Sequence, residues 1–437
     1  MEKFIHDPIH GYIKIDPICI SVIDTPQFQR LRHLKQLGAC YYVFPGASHH
    51  RYEHSIGVCH LSSTLIERFR QSQPELEINE SEIKCIKLAG LCHDLGHGPF
   101  SHLFDEKFIP QAIPNIKWSH EDTSQELFEY LVDSNGINDI STDEVKLIQN
   151  LISGKETNHE KKFLFDIVAN KRNSMDVDKY DYLARDCMNT GIKSSYNASR
   201  LMMFSRVIND EICYIDKDHM NVHQLFHTRY NLFKILYSHK TAKAIEHMIV
   251  DALLAADKYL NISNAIFNLE EYSLLNDSIL SEIQRSTAEE LKESRDIITR
   301  IHKRNLYKYV DHLIIGENSE HLLSKLTIES IVLCSPHGSP LTDHDIIIEQ
   351  MNLNYGQKGQ NPVDLVKFYS KSDQNRSFHM PNTSCSLLIP RNFSEIVVRI
   401  YTRNPNKINQ VKYAFRKRVE EIFERNYIFE NNSSFIE

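Results

Sequence analysis

Histidine is concentrated in one stretch of this sequence: eight of the 23 fall between positions 49 and 120. Within it stands Cys92-His93-Asp94-Leu95-Gly96-His97-Gly98-Pro99-Phe100-Ser101-His102. An adjacent His-Asp pair at the end of an apolar run sets two polar groups against a helix that reads as buried. Neutral imidazole and carboxylate together suit a first-row divalent cation. Two ligands are too few. His54, near the head of another helix, and Asp178, in the segment 176–182, would complete a His-His-Asp-Asp set. The plainer reading is that His93 and Asp94 cap a helix end and hydrogen-bond each other, since two-residue matches recur by chance.

Helices must position these groups. Residues 54–69 form one, with His54, Val58, Leu61 and Leu65 on one face, and 82–92 form a second that stops where Gly96 and Gly98 turn the chain. Asp178, Tyr182 and Asp186 recur at i, i+4 and i+8, as do Arg229, Phe233 and Tyr237. Charges alternating with aromatics on such faces suit a pocket better than a rim. The spans 220–259 and 287–308 each read as one or two long helices. After 329 the composition changes: 330–335, 363–370 and 395–403 are β-branched strands, separated by loops at 335–343 and 373–384, before a final helix over 407–425 with Ile408, Val411, Phe415, Val419 and Ile422 buried. The expected fold is mainly α, with a large helical lobe over 1–329 and a smaller α+β lobe over 330–437.

The chain has 437 residues with only 14 glycines and 14 prolines, about half the usual share, which also favours long helices. A net charge of −8 argues against a dedicated nucleic-acid coat, and the basic run Lys412, Arg416, Lys417, Arg418 reads as a solvated face. No apolar run approaches the ~18 residues that span a membrane, and the start carries no leader pattern. Nine cysteines without CxxC pairs suggest reduced thiols, and the cytoplasm, with the nucleus as the alternative, is the expected compartment.

Several segments together resemble the HD-domain deoxynucleoside triphosphate (dNTP) triphosphohydrolases: Asp7-Pro8-Ile9-His10-Gly11, the run from Asp24-Thr25-Pro26 to Arg32, Lys35-Gln36-Leu37-Gly38, the run from Phe44-Pro45-Gly46 to Ser55, then 93–102 and 176–187. The likeness is greatest to the animal enzymes that carry a sterile alpha motif before the HD domain; that motif is expected to be missing here. The resemblance implies hydrolysis of a dNTP to a deoxynucleoside and inorganic triphosphate. It implies metal ligands His54, His93, Asp94 and Asp178, holding iron, zinc or manganese, with Mg²⁺ on the phosphates. It implies catalytic His102 and His120, with Asp105 orienting the first and His97 on the phosphate side; His120 could equally be a surface histidine beside Trp118. Arg51, Lys179 and Arg229 would meet the phosphates, Gln36 and Asp186 the sugar 3′-hydroxyl, and Tyr237 would exclude ribonucleotides, with Leu37 and Tyr182 lining the same site. Phe233 departs from the family, where the animal enzyme has histidine.

The resemblance further implies a homotetramer driven by GTP and dNTP bound between subunits. Asp24, Gln29 and Arg32, with Lys3, match a first activator site, although Asp-Thr-Pro is also an ordinary helix opening. Phe44, Arg206, Lys217, Asn221, His239 and Lys240 match a second, in which His6 replaces asparagine and Ile215 replaces arginine. Two other functions stay open: another HD-fold phosphohydrolase (a nucleoside monophosphatase or phosphodiesterase), and a non-catalytic, nucleotide-gated scaffold that binds nucleic acid.

Overall fold

Three helices frame the centre of the molecule, and the caps of each decide which way its first residues face. The computed structural model describes residues 2–156, 159–338, 340–357, 359–380, 390 and 392–423. Helix Arg51–Ser72 opens on a capping box in which the His50 N–H donates to Glu53 Oε1 at 2.8 Å. Helix Glu80–Cys92 opens on the equivalent Asn79–Glu82 box. Helix Val177–Thr190 begins at Asp176, whose side chain accepts the Lys179 N–H, and ends at Gly191 with φ +74°. Such caps satisfy the orphan donors of the first turn and fix where the helix starts. Gly57 lets Val177–Thr190 cross close by, since a Cβ there would lie 1.9 Å from Asp181 Oδ1. Around these helices runs a continuous core that includes Phe69, Phe104, Phe128 and Phe163, all essentially inaccessible. Burying one such ring contributes roughly 1.5–3 kcal/mol.

The protein is mainly α with a smaller α+β lobe. That lobe is an antiparallel sheet of Lys308–Ile315, Ser394–Thr402 and Ile346–Asn354, with Ser394–Thr402 in the middle. Its strand Lys308–Ile315 comes from before position 329, so the sheet draws on both sides of that division. Helix Ile408–Phe423 packs Val411, Phe415 and Val419 against it. On that helix Arg416 Nε lies 2.7 Å from the buried Asp311, so part of its basic run serves packing. A second sheet joins Ser205–Ile208 and Glu211–Ile215 to Lys367–Ser370 and Asp373–His379, the middle pair being parallel. Among the described residues no helix is long and apolar enough to cross a membrane, and eight cysteines are buried and free.

Several expectations differ from the observed elements. Residues 330–335 were expected as a strand, but Ile328–Val332 is helical because Thr327 and Ser330 cap each other's backbone, a local bond that overrides β-branched propensity. The expected loop over 373–384 contains strand Asp373–His379, stabilised by pairing with Lys367–Ser370; residues 381–384 lie outside the described residues. The span 220–259 holds two helices, as expected of it, but a wide π-type turn that was not expected, Phe233–Tyr237, joins His219–Leu232 to Lys240–Leu260. The helix expected over 287–308 is confined to Lys292–His302, and 363–370 is strand only from Lys367. The hairpins Lys3–Asp7/Gly11–Ile15 and Ser205–Ile208/Glu211–Ile215 were not foreseen in the helical lobe.

Candidate active site

Four side chains from the three framing helices converge. His54 lies one turn into Arg51–Ser72, His93 and Asp94 follow the end of Glu80–Cys92, and Asp178 is in the first turn of Val177–Thr190. His54 Nε2 stands 3.2 Å from His93 Nε2, 3.1 Å from Asp178 Oδ1 and 3.6 Å from Asp94 Oδ2. His93 Nε2 is 3.4 Å from both Asp94 Oδ1 and Asp178 Oδ1. Neighbouring ligands of one cation with bonds of about 2.0–2.2 Å lie roughly 3.0–3.5 Å apart, so His54, His93 and Asp178 fit a single divalent ion, with Asp94 beside the two histidines.

The tautomers point the same way. His93 Nδ1 bonds the Gly90 carbonyl at 2.9 Å, and His54 Nδ1 bonds Asp181 Oδ2 at 2.7 Å. Both Nδ1 atoms therefore carry the proton, and both Nε2 lone pairs face each other and two carboxylates. Acceptors crowded in this way attract positive charge. Burial opposes a charged His54, yet Asp178 and Asp181 lift its pKa to about 10. Burial likewise opposes charge on Asp94 and Asp178, but Arg51 with His93, and His54 with His93, hold these carboxyls well below the usual range. Asp178 is 29% exposed while His54 is 1% exposed, so the cluster opens on one side only.

That side is a cavity of about 490 Å³, within the ~300–1,000 Å³ of small-molecule sites. Every residue expected on the substrate side, Gln36, Leu37, Arg51, Lys179, Tyr182, Asp186, Arg229 and Tyr237, lines it. So does Phe233, whose ring lies 4.4 Å from the Arg229 guanidinium. Arg51 donates to Asp94 and, at 2.9 Å, to Ser101 Oγ; Lys179 Nζ lies 3.0 Å from Asp176. Asp186 takes His49 Nε2 at 2.7 Å on one oxygen and the Tyr237 hydroxyl at 2.6 Å on the other. Gln36 Oε1 is a buried acceptor without a partner among the described residues.

A second histidine cluster occupies another wall. His97 stacks on His120 with ring centres 3.8 Å apart, and His102 meets both edge-on. Asp105 lies between them, bonding His120 Nδ1 with Oδ2 and standing 3.7 Å from His102 Nδ1 with Oδ1. His97 is held well below its ordinary pKa, by burial first and then by Arg51 and His120, so it is neutral. His102 is at the mouth, its side chain 57% exposed. Desolvation in the cavity pulls its imidazolium down, and Asp105 and Glu106 more than restore it, so its pKa is raised.

Sequence reasoning missed the residues that hold these groups still. Asp181 bonds both His54 and, at 2.7 Å, His10 Nε2; Arg185 clamps it through two bonds of 2.8 and 2.9 Å and also reaches Asp7. Arg30 donates to the carbonyls of Leu95 and His97, and the Tyr272 hydroxyl to that of Gly96, fixing the loop behind Asp94. Phe100 and Ser101 both take positive φ, 62° and 59°, a strained pair held where Asp277 accepts the Phe100 N–H. The available signals were Asp181 three residues after Asp178 and Arg185 one turn further.

Of the expected activator residues, Lys3, Asp24, Gln29 and Arg32 border one cavity of about 470 Å³. Lys3 Nζ is 2.7 Å from Asp24, and Arg32 lies over the Tyr52 ring. The others make contacts of their own. Phe44 meets the His239 ring, Lys240 lies over Tyr309, Lys217 over Phe204, Asn221 bonds the Asn197 backbone, and Arg206 approaches Glu75.

The fold and the His…His-Asp…Asp arrangement define an HD-domain protein, and the HD domain family matches residues 51–186. The Dictyostelium discoideum deoxynucleoside triphosphate triphosphohydrolase SAMHD1 homolog is 44% identical over 95% of this chain and 80% of its own length. The human deoxynucleoside triphosphate triphosphohydrolase SAMHD1 is 41% identical over 93% of the chain and 71% of its own length. An HD domain-containing protein of Acanthamoeba polyphaga mimivirus is 31% identical over 93% and 94%. The chain belongs to the SAMHD1 family of deoxynucleoside triphosphate triphosphohydrolases.

Proposed function

We propose that this protein hydrolyses dNTPs to deoxynucleoside and inorganic triphosphate. The observation that carries the reading is the convergence of His54, His93 and Asp178, donor atoms 3.1–3.4 Å apart, with Asp94 3.4–3.6 Å from the two histidines, beside a cavity lined by Arg51, Lys179 and Arg229. These four residues would hold one divalent cation; iron, zinc and manganese all accept the set. Bound there, it supplies Lewis acidity and a more acidic water, with Mg²⁺ expected on the phosphates. The three cationic side chains bind the triphosphate, near four negative charges, in a closed cavity. Arg51 then exchanges its contact with Asp94 for phosphate oxygen. His102 carries the proton that the departing 5′ oxygen needs, Asp105 keeps it charged and oriented, and His120 and the neutral His97 face the phosphates from the same wall. Gln36 and Asp186 receive the sugar 3′-hydroxyl; Tyr237, fixed on Asp186, crowds the 2′ position, and Leu37 and Tyr182 complete the walls.

Regulation is part of the proposal. Lys3, Asp24, Gln29 and Arg32 would read a guanine nucleotide, and Phe44, Arg206, Lys217, Asn221, His239 and Lys240 a dNTP, in a homotetramer. Buried Ile215 offers that second site no charge. Chromatography of products from each dNTP tests the activity: the wild type releases triphosphate and deoxynucleoside, and His93→Ala releases neither. Orthophosphate from a deoxynucleoside monophosphate, with dNTPs untouched, would contradict it. Sedimentation with and without GTP plus dNTP tests assembly, and a monomer under every condition would contradict that part.

A further inference from the structure

The turn that carries Asp105 also carries Lys107, and the two side chains reach different neighbours. Asp105 faces His102 and His120. Lys107 Nζ crosses to Glu246 Oε2 at 3.2 Å, on helix Lys240–Leu260, and to Glu349 Oε1, on strand Ile346–Asn354 of the smaller lobe. Lys243 Nζ lies 2.8 Å from Glu246, and the Tyr401 hydroxyl donates to Glu349 Oε2 at 3.4 Å. Two cations and two anions thus balance in a buried quartet, with Glu349 only 5% exposed. Charges held out of water do not tolerate separation, so Lys107 is anchored.

The anchor matters because of the turn's geometry. Phe104–Phe108 is π-helical, and the Ile109 N–H reaches back to the Phe104 carbonyl. Such wide turns are rare and occur mostly at functional sites, where something outside the helix must hold them. Strand Ile346–Asn354 supplies a second hold: the Asn354 carbonyl accepts Arg229 Nη1 at 2.8 Å. Residues 349 and 354 are about 17 Å apart along an extended strand. One strand of the smaller lobe therefore grips the Asp105 turn at one end and the guanidinium of Arg229 at the other.

We propose that Lys107 and Glu349 are positioning residues for the reaction, acting through Asp105 on the catalytic histidines, and that the smaller lobe is in this way a component of the active site. The proposal rests on the dNTP hydrolase reading. The test is steady-state release of triphosphate from dGTP by the full chain, comparing wild type with Lys107→Met, Lys107→Arg, Glu349→Gln and Arg403→Met. Arg403 ties the same two lobes through Asp251 at 2.7 Å but stands outside the cavity lining. Lys107→Met and Glu349→Gln are expected to lower kcat by roughly 10–100-fold, the scale of small misplacements, with cation content unchanged. Lys107, Lys243 and Glu246 also border the cavity, so KM separates the two roles: positioning leaves it within about twofold, whereas a raised KM at unchanged kcat would mark a binding role and overturn the inference. Lys107→Arg should recover most of kcat, and Arg403→Met should lower Tm while keeping kcat. The inference is overturned if the Lys107→Met and Glu349→Gln enzymes turn over at the wild-type rate, or lose no more than Arg403→Met at equal loss of Tm. A wild type that releases no triphosphate overturns the hydrolase reading and this inference together; an active wild type with an unaffected Lys107→Met overturns the inference alone.

Discussion

Two clusters of histidine and aspartate share one cavity, and similar composition has produced opposite wiring. In the first, His54 and His93 spend Nδ1 on Asp181 and Gly90 and turn their Nε2 lone pairs inward on Asp94 and Asp178. In the second, His97 and His120 lie face to face, and Asp105 sits against Nδ1 of both His120 and His102. The first arrangement concentrates lone pairs, which suits a cation. The second pairs imidazole with a single carboxylate, which suits a proton. On the proposed reading, the partner on the far nitrogen, not the residue type, separates ligand from acid, since either cluster has the composition to hold a metal ion.

Substitutions that cross this divide should separate the two. His93→Ala should remove bound cation and lower kcat on the order of 10³-fold or more, since a group the chemistry cannot do without is gone. Metal analysis of the purified chain, with turnover on dGTP, checks both. Asp105→Asn should keep the cation and lower kcat by roughly 10²–10⁴-fold, the usual worth of a placed acid. It should also change the pH profile. Asp105 raises the His102 pKa, so the protonated form that activity needs is present at low pH and lost as pH rises through that value; without the charge, the alkaline limb moves to lower pH. Asp181→Asn should weaken cation affinity by roughly 10–100-fold, read as a raised Mn²⁺ requirement with kcat largely restored at saturation. Gly57→Ala, which drives a Cβ into Asp181, should destabilise by about 1–3 kcal/mol in thermal or urea unfolding.

Part of this was legible from the sequence. The i, i+4, i+8 face of Asp178, Tyr182 and Asp186 borders the cavity because helical periodicity is a local property; Arg229, Phe233 and Tyr237 border it too, although a π-type turn carries the last two. The far-nitrogen partners were not legible. His54 meets Asp181 across 127 residues and His10 meets it across 171, and no local pattern encodes such pairings. The two π-type turns, Phe104–Phe108 and Phe233–Tyr237, escaped for a related reason: each holds an extra residue within a turn, which a 3.6-residue period does not register. Strand Asp373–His379 is exposed along its length and owes its form to a partner strand, so its polar composition reads as loop. Lys107 and Glu349 stand 242 residues apart, and no local pattern pairs them; the fold alone brings them together.

The most direct test of the central claim is divalent-metal stoichiometry of the wild-type, His97→Ala and His93→Ala chains after removal of loosely held ions. The account predicts one transition-metal ion per chain in the first two and none in the third. An ion retained by His93→Ala, or one lost with His97→Ala, would contradict it.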